Sequence, residues 1–539
     1  AASYSADGYL VSVGVMQSGT CGYKFNKRLA LSGTNTMLDS TFDGSSDIIV
    51  AVQAYANNGL TSWYTIGSFQ ASTTTTTTTS KTTRRGVDQP GTRLDAVIYQ
   101  SDTIWMASMS PVRVIGTAGI ASGVTLTVEA GVEVVCEVAT SGGESYSAAM
   151  CIQLVGVLDV RGESSSPVTF SCVGNACKSR WITVMESADA DNLRMSHVIF
   201  NGGDRPCSGH VAIYTEYEGN QGAAFSYQTL RVSDVVASCV RFGTGGGSAM
   251  TDGNGIFGLF FERGTFSQTE FKTEYPRPGR MDIVNSTITD STITADSYSM
   301  RGLHLRNTVA SNISFRIGCC QGGGGFVISN STICSSTFTD FNNAWSIAIT
   351  HSEFLDTTFS LGSGGTFSMK QSIVSRSAVA DSTVPLMSIR STNGITLEDV
   401  HLLGAGSGTA LALSGGATKT IHRCLLHNFQ VGIETKADDG NTIVGISSFI
   451  GITTSFFINT GRAAVEAKSN FWGSVLEADL PPRITDIHDS LSYGEVTYLP
   501  ILESPSDSAP LVPPAWLLLS PDELTNRIRA QWAASYSAD

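Results

Sequence analysis

The sequence predicts an all-β chain: a right-handed parallel β-helix (a β-solenoid) preceded by a small β-sandwich-like domain and followed by a short C-terminal helix. Three observations predict it. Helical periodicity is nearly absent over hundreds of residues, while short β-rich runs alternate with clusters of Gly, Ser and Asn. One strand template recurs at steps in the twenties. With 15% charged residues, 55 Gly in 539 positions and a mean hydropathy of +0.07, the chain is too apolar for disorder and too poor in Lys and Glu for a helical bundle.

Residues 1–95 supply the sandwich-like domain. Tyr9–Val15 and Ile48–Ala54 are apolar, partly alternating strands separated by turn formers. The domain closes in a threonine tract, Thr73, Thr74, Thr75, Thr76, Thr77, Thr78 and Thr79, which reads as a flexible stretch and a set of O-glycosylation candidates. The Thr82-Thr83-Arg84-Arg85-Gly86 segment after it reads as a solvated linker, with a dibasic cleavage site as the minority reading.

Residues 96–503 supply the β-helix. Short strands are expected at Val124–Gly131, Ile152–Val160, Val168–Phe170, Trp181–Val184 and His197–Phe200. The template itself reads Met195-x-x-Val198-x-Phe200, Ile328-x-x-Ser331-x-Ile333, Ile349-x-x-Ser352-x-Phe354, Met369-x-x-Ser372-x-Val374, Leu397-x-x-Val400-x-Leu402 and Ile421-x-x-Cys424-x-Leu426. From Ile328 to Ile421 the steps are 21, 20, 28 and 24 residues. A short strand cannot cover its own inward side chains, but coils stacked above and below can. Gly, Asn and Asp then take the corners where φ turns positive. Uneven steps favour a helix with variable loops over a short-coil hexapeptide solenoid.

Residues 504–539 begin Pro- and Ser-rich. Ser520-Pro521-Asp522-Glu523 then has the form of a helix start, with Ser as N-cap, Pro at the first helical position and Glu closing a capping box. Leu524, Ile528 and Trp532 would form one apolar stripe on that helix.

The stretches Val124–Val132, Gly156–Gly162 and Pro167–Phe170 resemble the opening coils of right-handed parallel β-helix proteins of the pectate-lyase-like superfamily, of the secreted adhesin or structural type. Asn470-Phe-Trp-Gly473, Asp486-Ile-His-Asp489 and Gly494–Pro500 are similar to the closing segment of such domains. The resemblance covers about residues 110–503. It implies a fold and leaves activity open, because this fold hosts lyases, hydrolases, adhesins and structural proteins.

Ala1-Ala-Ser-Tyr-Ser-Ala-Asp7 recurs letter for letter at Ala533–Asp539. Chance agreement over such a stretch is roughly one in a billion, with about twenty residue types at each place. Either the copy is an added scar or the chain contains one period, 533 − 1 = 532 residues, of a tandem array. The segment joins smoothly to both flanks, which favours the array. Tyr4, Tyr9, Leu524, Ile528 and Trp532 are the expected inter-unit junction residues.

A formal net charge of −14 with scattered basic residues argues against nucleic-acid partners. The longest apolar runs are too short to span a membrane. Among 11 cysteines no CxxC pair of the zinc-site type occurs, whereas Cys172 and Cys177 could close a small disulfide loop. Asn285, Asn312 and Asn330 head N-glycosylation sequons. Together these features point to an extracellular or cell-surface location.

Catalytic chemistry is harder to find. Glu186, Asp189 and Asp191 read as a turn. Phe260–Arg280 is the most charged stretch, with Glu262, Arg263, Glu270, Lys272, Glu274, Arg277 and Arg280, and reads as an inserted loop for a lateral partner or, less favoured, a glycan groove. His351, His401 and His422 are expected on the surface, and His427 and His488 lack a tuning carboxylate pair outside the terminal motif. No catalytic residue, metal or cofactor is assigned. The expected function is therefore a structural repeat unit of an extracellular filament, self-associating with neighbouring units, with glycans or other filament proteins as further partners. A polysaccharide lyase or hydrolase, and a monomeric adhesin, are the alternatives.

Overall fold

The computed structural model describes residues 91–137, 150–173, 180–185, 192–202, 211–216, 228–244, 257–273, 280–295, 302–317, 325–339, 346–362, 365–377, 384–391, 393–436, 440–473, 476–506 and 509, together with the strands 8–16, 23–31, 35–39, 48–55, 61–69, 517–522 and 527–532. It is all-β, and its greater part is a parallel β-helix. The parallel strands form one sheet of 16 strands and one of 29. The ratio follows from the coil. Arg280–Val284 and Thr287–Thr289 join the longer sheet on either side of a corner, and Thr292–Ala295 turns into the shorter one. A loop of variable length then returns the chain to the next coil, which is why the sequence steps are uneven.

Two units emerge from the packing: residues 84–331 with 335–348, and residues 1–83, 332–334 and 349–539. In the first, Val128, Val160, Met195, Val232, Phe261, Ile283, Leu305 and Ile328 stack in register as one buried inward column. In the second, Met369, Leu397, Ile421 and Val444 form a column of the same kind. Fully burying a side chain of this size contributes about 1.5–3 kcal/mol, so a column repeated coil after coil is the main source of stability. Aromatic stacks add to it, as between Phe170 and Phe200 at 5.3 Å and between Phe315 and Phe338 at 4.3 Å.

Every apolar position of the strand template is buried, and so are Ser331, Ser352 and Ser372 at its fourth place. Its third place is a corner in the left-handed region. His197, Asp234, Arg263, Asn285, Asn307, Asn330, His351, Gln371, Asp399, Arg423, Ile446 and Ser469 all have φ between 47° and 56°. Asn and Asp tolerate that conformation, which accounts for their frequency here. The template also recurs at Val232, Phe261, Ile283 and Leu305, four coils that the sequence reading passed over.

The turn strips a backbone N–H from the sheet, and the next coil satisfies it. Gly264 N–H donates to Ser286 Oγ at 3.0 Å, and Thr308 N–H to Ser331 Oγ at 3.1 Å. In the second unit Cys424 N–H donates to Ser447 Oγ at 3.0 Å, and Ser447 N–H to Asn470 Oδ1 at 2.8 Å. Each buried hydroxyl spends its proton on a carbonyl two residues back, as Ser286 does on Val284 at 2.8 Å. This internal ladder is why small polar residues occupy buried places in an otherwise apolar core.

The two ends of the chain share one region of the second unit. Gly8–Met16, Tyr23–Leu31, Ile48–Tyr55 and Thr61–Phe69 form a four-stranded antiparallel sheet. Asn35–Asp39 instead pairs antiparallel with Arg527–Trp532, which pairs in turn with Leu517–Asp522. This corrects the expectation of a C-terminal helix: residues 517–522 and 527–532 are a hairpin. The capping signature is a local preference of about 1 kcal/mol, and a strand paired along its length outweighs it. Pro521 is accommodated because Leu517–Asp522 is an edge strand of its three-stranded sheet. Ile528 and Trp532 accordingly lie on a strand and form no helical stripe.

Candidate functional site

Outward-facing positions of the longer sheet repeat one residue per coil, so chemistry scattered in sequence becomes a line in space. Three residues before each corner, Arg194, Arg231, Phe260, Asp282 and His304 are successive register partners in the first unit. The strand spacing of about 4.8 Å separates neighbours. Arg194 and Arg231 are exposed, and Phe260 and His304 are half-buried. The Arg231 guanidinium lies 5.3 Å from the centre of the Phe260 ring, a cation–π contact. Among the described residues neither Arg194 nor Arg231 makes an ion pair; Asp159, the register partner of Arg194 on the preceding strand, is bonded to Arg161.

The next rung is charged and dense. Asp282 is 8% exposed although its position faces outward. Arg280 donates to Asp282 Oδ1 at 2.7 Å and brings its Nε within 2.7 Å of Oδ2. His304 Nδ1 is 3.3 Å from Asp282 Oδ1 and 3.1 Å from an Arg306 nitrogen. Burial opposes ionisation of Asp282, but hydrogen bonds from His304 and Arg280, and their charge, outweigh it and hold the carboxyl below its ordinary range. The group is therefore a fixed anion facing cations, suited to orienting a ligand hydroxyl.

Beside this strip, Arg263 at a corner makes two bonds to Asp234, at 2.7 and 2.8 Å, and approaches Glu262 at 3.1 Å. Phe260–Thr273 is thus no inserted loop. Phe257–Glu262, Thr265–Ser267 and Glu270–Thr273 are strands of an ordinary coil, and its charges point outward because the coil must alternate. Glu274 and Arg277 lie outside the described residues, as do Glu186, Asp189 and Asp191.

The other sequence candidates divide cleanly. Asn285, Asn312 and Asn330 are exposed corner residues with φ of 52°, 53° and 49°. Asn307 Nδ2 donates to Asn285 Oδ1 at 3.0 Å, and Asn312 Nδ2 to Asp290 Oδ1 at 2.7 Å. At Asn285 and Asn330 the letters Asn-Ser-Thr spell corner, ladder hydroxyl and strand start, so the fold alone accounts for these two sequons, whereas Asn312 is followed by the buried Ile313. Cys172 is disulfide-bonded, while Cys177 lies outside the described residues. A second bond joins Cys136 and Cys151 across 15 residues. Thr73 to Thr79, Tyr4 and Leu524 lie outside the described residues, and Tyr9 is in the strand Gly8–Met16.

Two further sites are structural. Arg423 bridges Asp399 and Glu398, each at 2.7 Å, and Lys370 reaches the same Glu398 at 2.7 Å. Asp486, 3% exposed, accepts the N–H groups of His488 and Val496 at 2.9 and 3.0 Å and so ties the terminal turn. His351 is exposed and His422 half-buried, but His401, expected on the surface, is 7% exposed. Burial drives its pKa down to about 4 against a small opposing effect of Asp399. No three metal-ligating side chains come together among the described residues. No helix among them is long and apolar enough to cross a membrane.

The strip is invisible to a fixed-period search, because its members are 37, 29, 22 and 22 residues apart. The signal that finds it is the residue immediately before each occurrence of the strand template.

No family model matches the chain, and no curated protein does. Among solved structures, the chain is similar to the Yersinia enterocolitica family 28 exopolygalacturonase at 8% identity and a TM-score of 0.18, over 84% of this chain and 93% of that one. A superposition of that score transfers neither fold nor site, and the β-helix described above rests on strand pairing alone.

Proposed function

We propose that the chain is a secreted, cell-surface β-helix protein that binds an acidic polysaccharide along the strip from Arg194 to His304. The observation that carries this reading is the pair of exposed guanidiniums, Arg194 and Arg231, in one row with Phe260 and without an ion pair among the described residues, the neighbouring Asp159 being bonded to Arg161. An Arg fork binds a carboxylate in two parallel bonds, and an aromatic face takes the apolar side of a sugar ring. Asp282 and His304 supply an acceptor and a donor for ring hydroxyls one and two rungs further on. Disulfide-bonded Cys136, Cys151, Cys172, Cys239 and Cys334 fit an oxidising compartment.

Pull-down on cross-linked polygalacturonate tests the proposal, with dextran as the neutral control. The chain is expected on polygalacturonate only, and Arg194→Ala with Arg231→Ala should weaken retention at least tenfold. Equal retention of the double variant would overturn it. The catalytic version of the same reading, a lyase or hydrolase, needs a proton donor opposite a base, and Asp282 is held as an anion. Release of reducing ends, abolished by Asp282→Asn, would establish that version.

A second reading, a tandem repeat unit of an extracellular filament, is supported by the two identical heptapeptides. Source sequence continuing Gly-Tyr-Leu-Val after Asp539 would establish it, and any other continuation would end it.

A further inference from the structure

The three-stranded sheet has an odd ancestry. Its central strand, Arg527–Trp532, comes from one end of the sequence, and its partner Asn35–Asp39 from the other. Asn35 is opposite Gln531, so the pairing spans 531 − 35 = 496 residues. Residues 92–497, the β-helix strands, are interposed. The four-stranded sheet, by contrast, is built wholly from segments between Gly8 and Phe69, with only Asn35–Asp39 left out.

The heptapeptide supplies a shorter route. Its second copy follows Trp532 directly, and its first copy directly precedes Gly8. If units follow one another at a period of 532 residues, Gln531 of one unit and Asn35 of the next are 35 + 532 − 531 = 36 residues apart. We infer that Leu517–Trp532 belongs to the sandwich of the following unit, where it pairs with that unit's Asn35–Asp39. The inference rests on the tandem reading for the order of units and adds which strands join them.

Three physical points carry it. For an unfolded chain the effective concentration of two segments falls as about the −3/2 power of their separation, which favours the 36-residue pairing roughly fifty-fold. The seven linking residues reach at most about 24 Å, more than the roughly 10 Å that separates two sheets wherever such sheets pack face to face. The hairpin already lies beside the four-stranded sheet, since Leu517–Asp522 neighbours Thr61–Phe69. In a chain holding one unit, the hairpin takes the only Asn35–Asp39 strand there is. In an array, each sandwich becomes a continuous stretch of polypeptide running from Leu517 of one unit to Phe69 of the next. The β-helices are then linked through folded domains completed by both neighbours.

The test uses two full units joined through the heptapeptide. In one version Arg529→Cys is in the first unit and Met37→Cys in the second; in the other both substitutions are in the second unit. Met37 and Arg529 are register partners. Oxidised glutathione is added, and proteolysis with mass spectrometry reads the linked peptide. The first version is expected to cross-link at least tenfold more than the second. The reverse ratio, or no cross-link in the first version, would overturn the inference. Thr36→Cys with Ala530→Cys, also register partners, repeats the test should the first pair disturb folding. Failure of the tandem reading shows separately, in the source sequence beyond Asp539.

Discussion

Asn470→Ala should be among the most damaging single substitutions in the β-helix. Asn470 is fully buried at the end of the internal ladder. Its Oδ1 accepts Ser447 N–H at 2.8 Å, and its Nδ2 donates to Val444 and Ala467 carbonyls at 2.8 and 2.7 Å. Alanine removes three bonds and strands three buried backbone groups. At about 1 kcal/mol net per bond, and more where a group is left unsatisfied, the loss is about 3–5 kcal/mol. Urea unfolding followed by circular dichroism and by tryptophan emission measures it, since Trp472 stacks on Phe449 at 4.7 Å two residues away. Lys468→Ala, at an exposed position, is the control and should shift stability by less than about 0.5 kcal/mol. Asn470→Asp sharpens the test. A carboxylate keeps the acceptor but faces two carbonyls, so its pKa rises on folding and the variant loses stability as pH rises through that pKa. A loss below about 1 kcal/mol for Asn470→Ala would refute the ladder as a structural device.

Asn307→Val, at an exposed corner with φ of 50°, should cost about 2 kcal/mol in urea melts, because a β-branched residue resists that conformation, whereas Asn307→Gly should stay within about 0.5 kcal/mol. His401 binds protons more weakly folded, at about 4, than unfolded, at 6.5, so stability should be flat above 6.5 and fall by about 3 kcal/mol as pH drops through that window. His401→Leu should remove this decline, as read from urea midpoints across pH. Cys136→Ser with Cys151→Ser opens a 15-residue loop and should cost about 3 kcal/mol, seen as a lowered melting temperature that reductant does not lower further at this pair.

The coil was legible because its constraints repeat. An inward Met195, Ile328 or Met369 must be apolar, and a corner such as Asn330 or Asp399 must tolerate positive φ, so both leave a mark in the letters. Of the four coils between Val232 and Leu305, the first stands 37 residues after the corner before it, outside the recurring step, while the other three, at steps of 29, 22 and 22, carry the same mark in the letters. The strip from Arg194 to His304 carried no such mark, since outward residues obey the ligand or solvent and not the core. The terminal hairpin was misread for a different reason. Ser520-Pro521-Asp522-Glu523 satisfies a local helix rule, while the pairing of Ile528 with Leu38 is set by segments nearly five hundred positions away. His401 was misread because a strand position that faces outward can still be covered.

Arginine footprinting tests the central claim most directly. Phenylglyoxal should modify Arg194 and Arg231 in the free protein, and saturating polygalacturonate should protect both at least fivefold by peptide mass spectrometry. Arg423, held by Asp399 and Glu398, should react equally with and without the polymer. Protection at Arg423 or at neither strip residue would contradict the account.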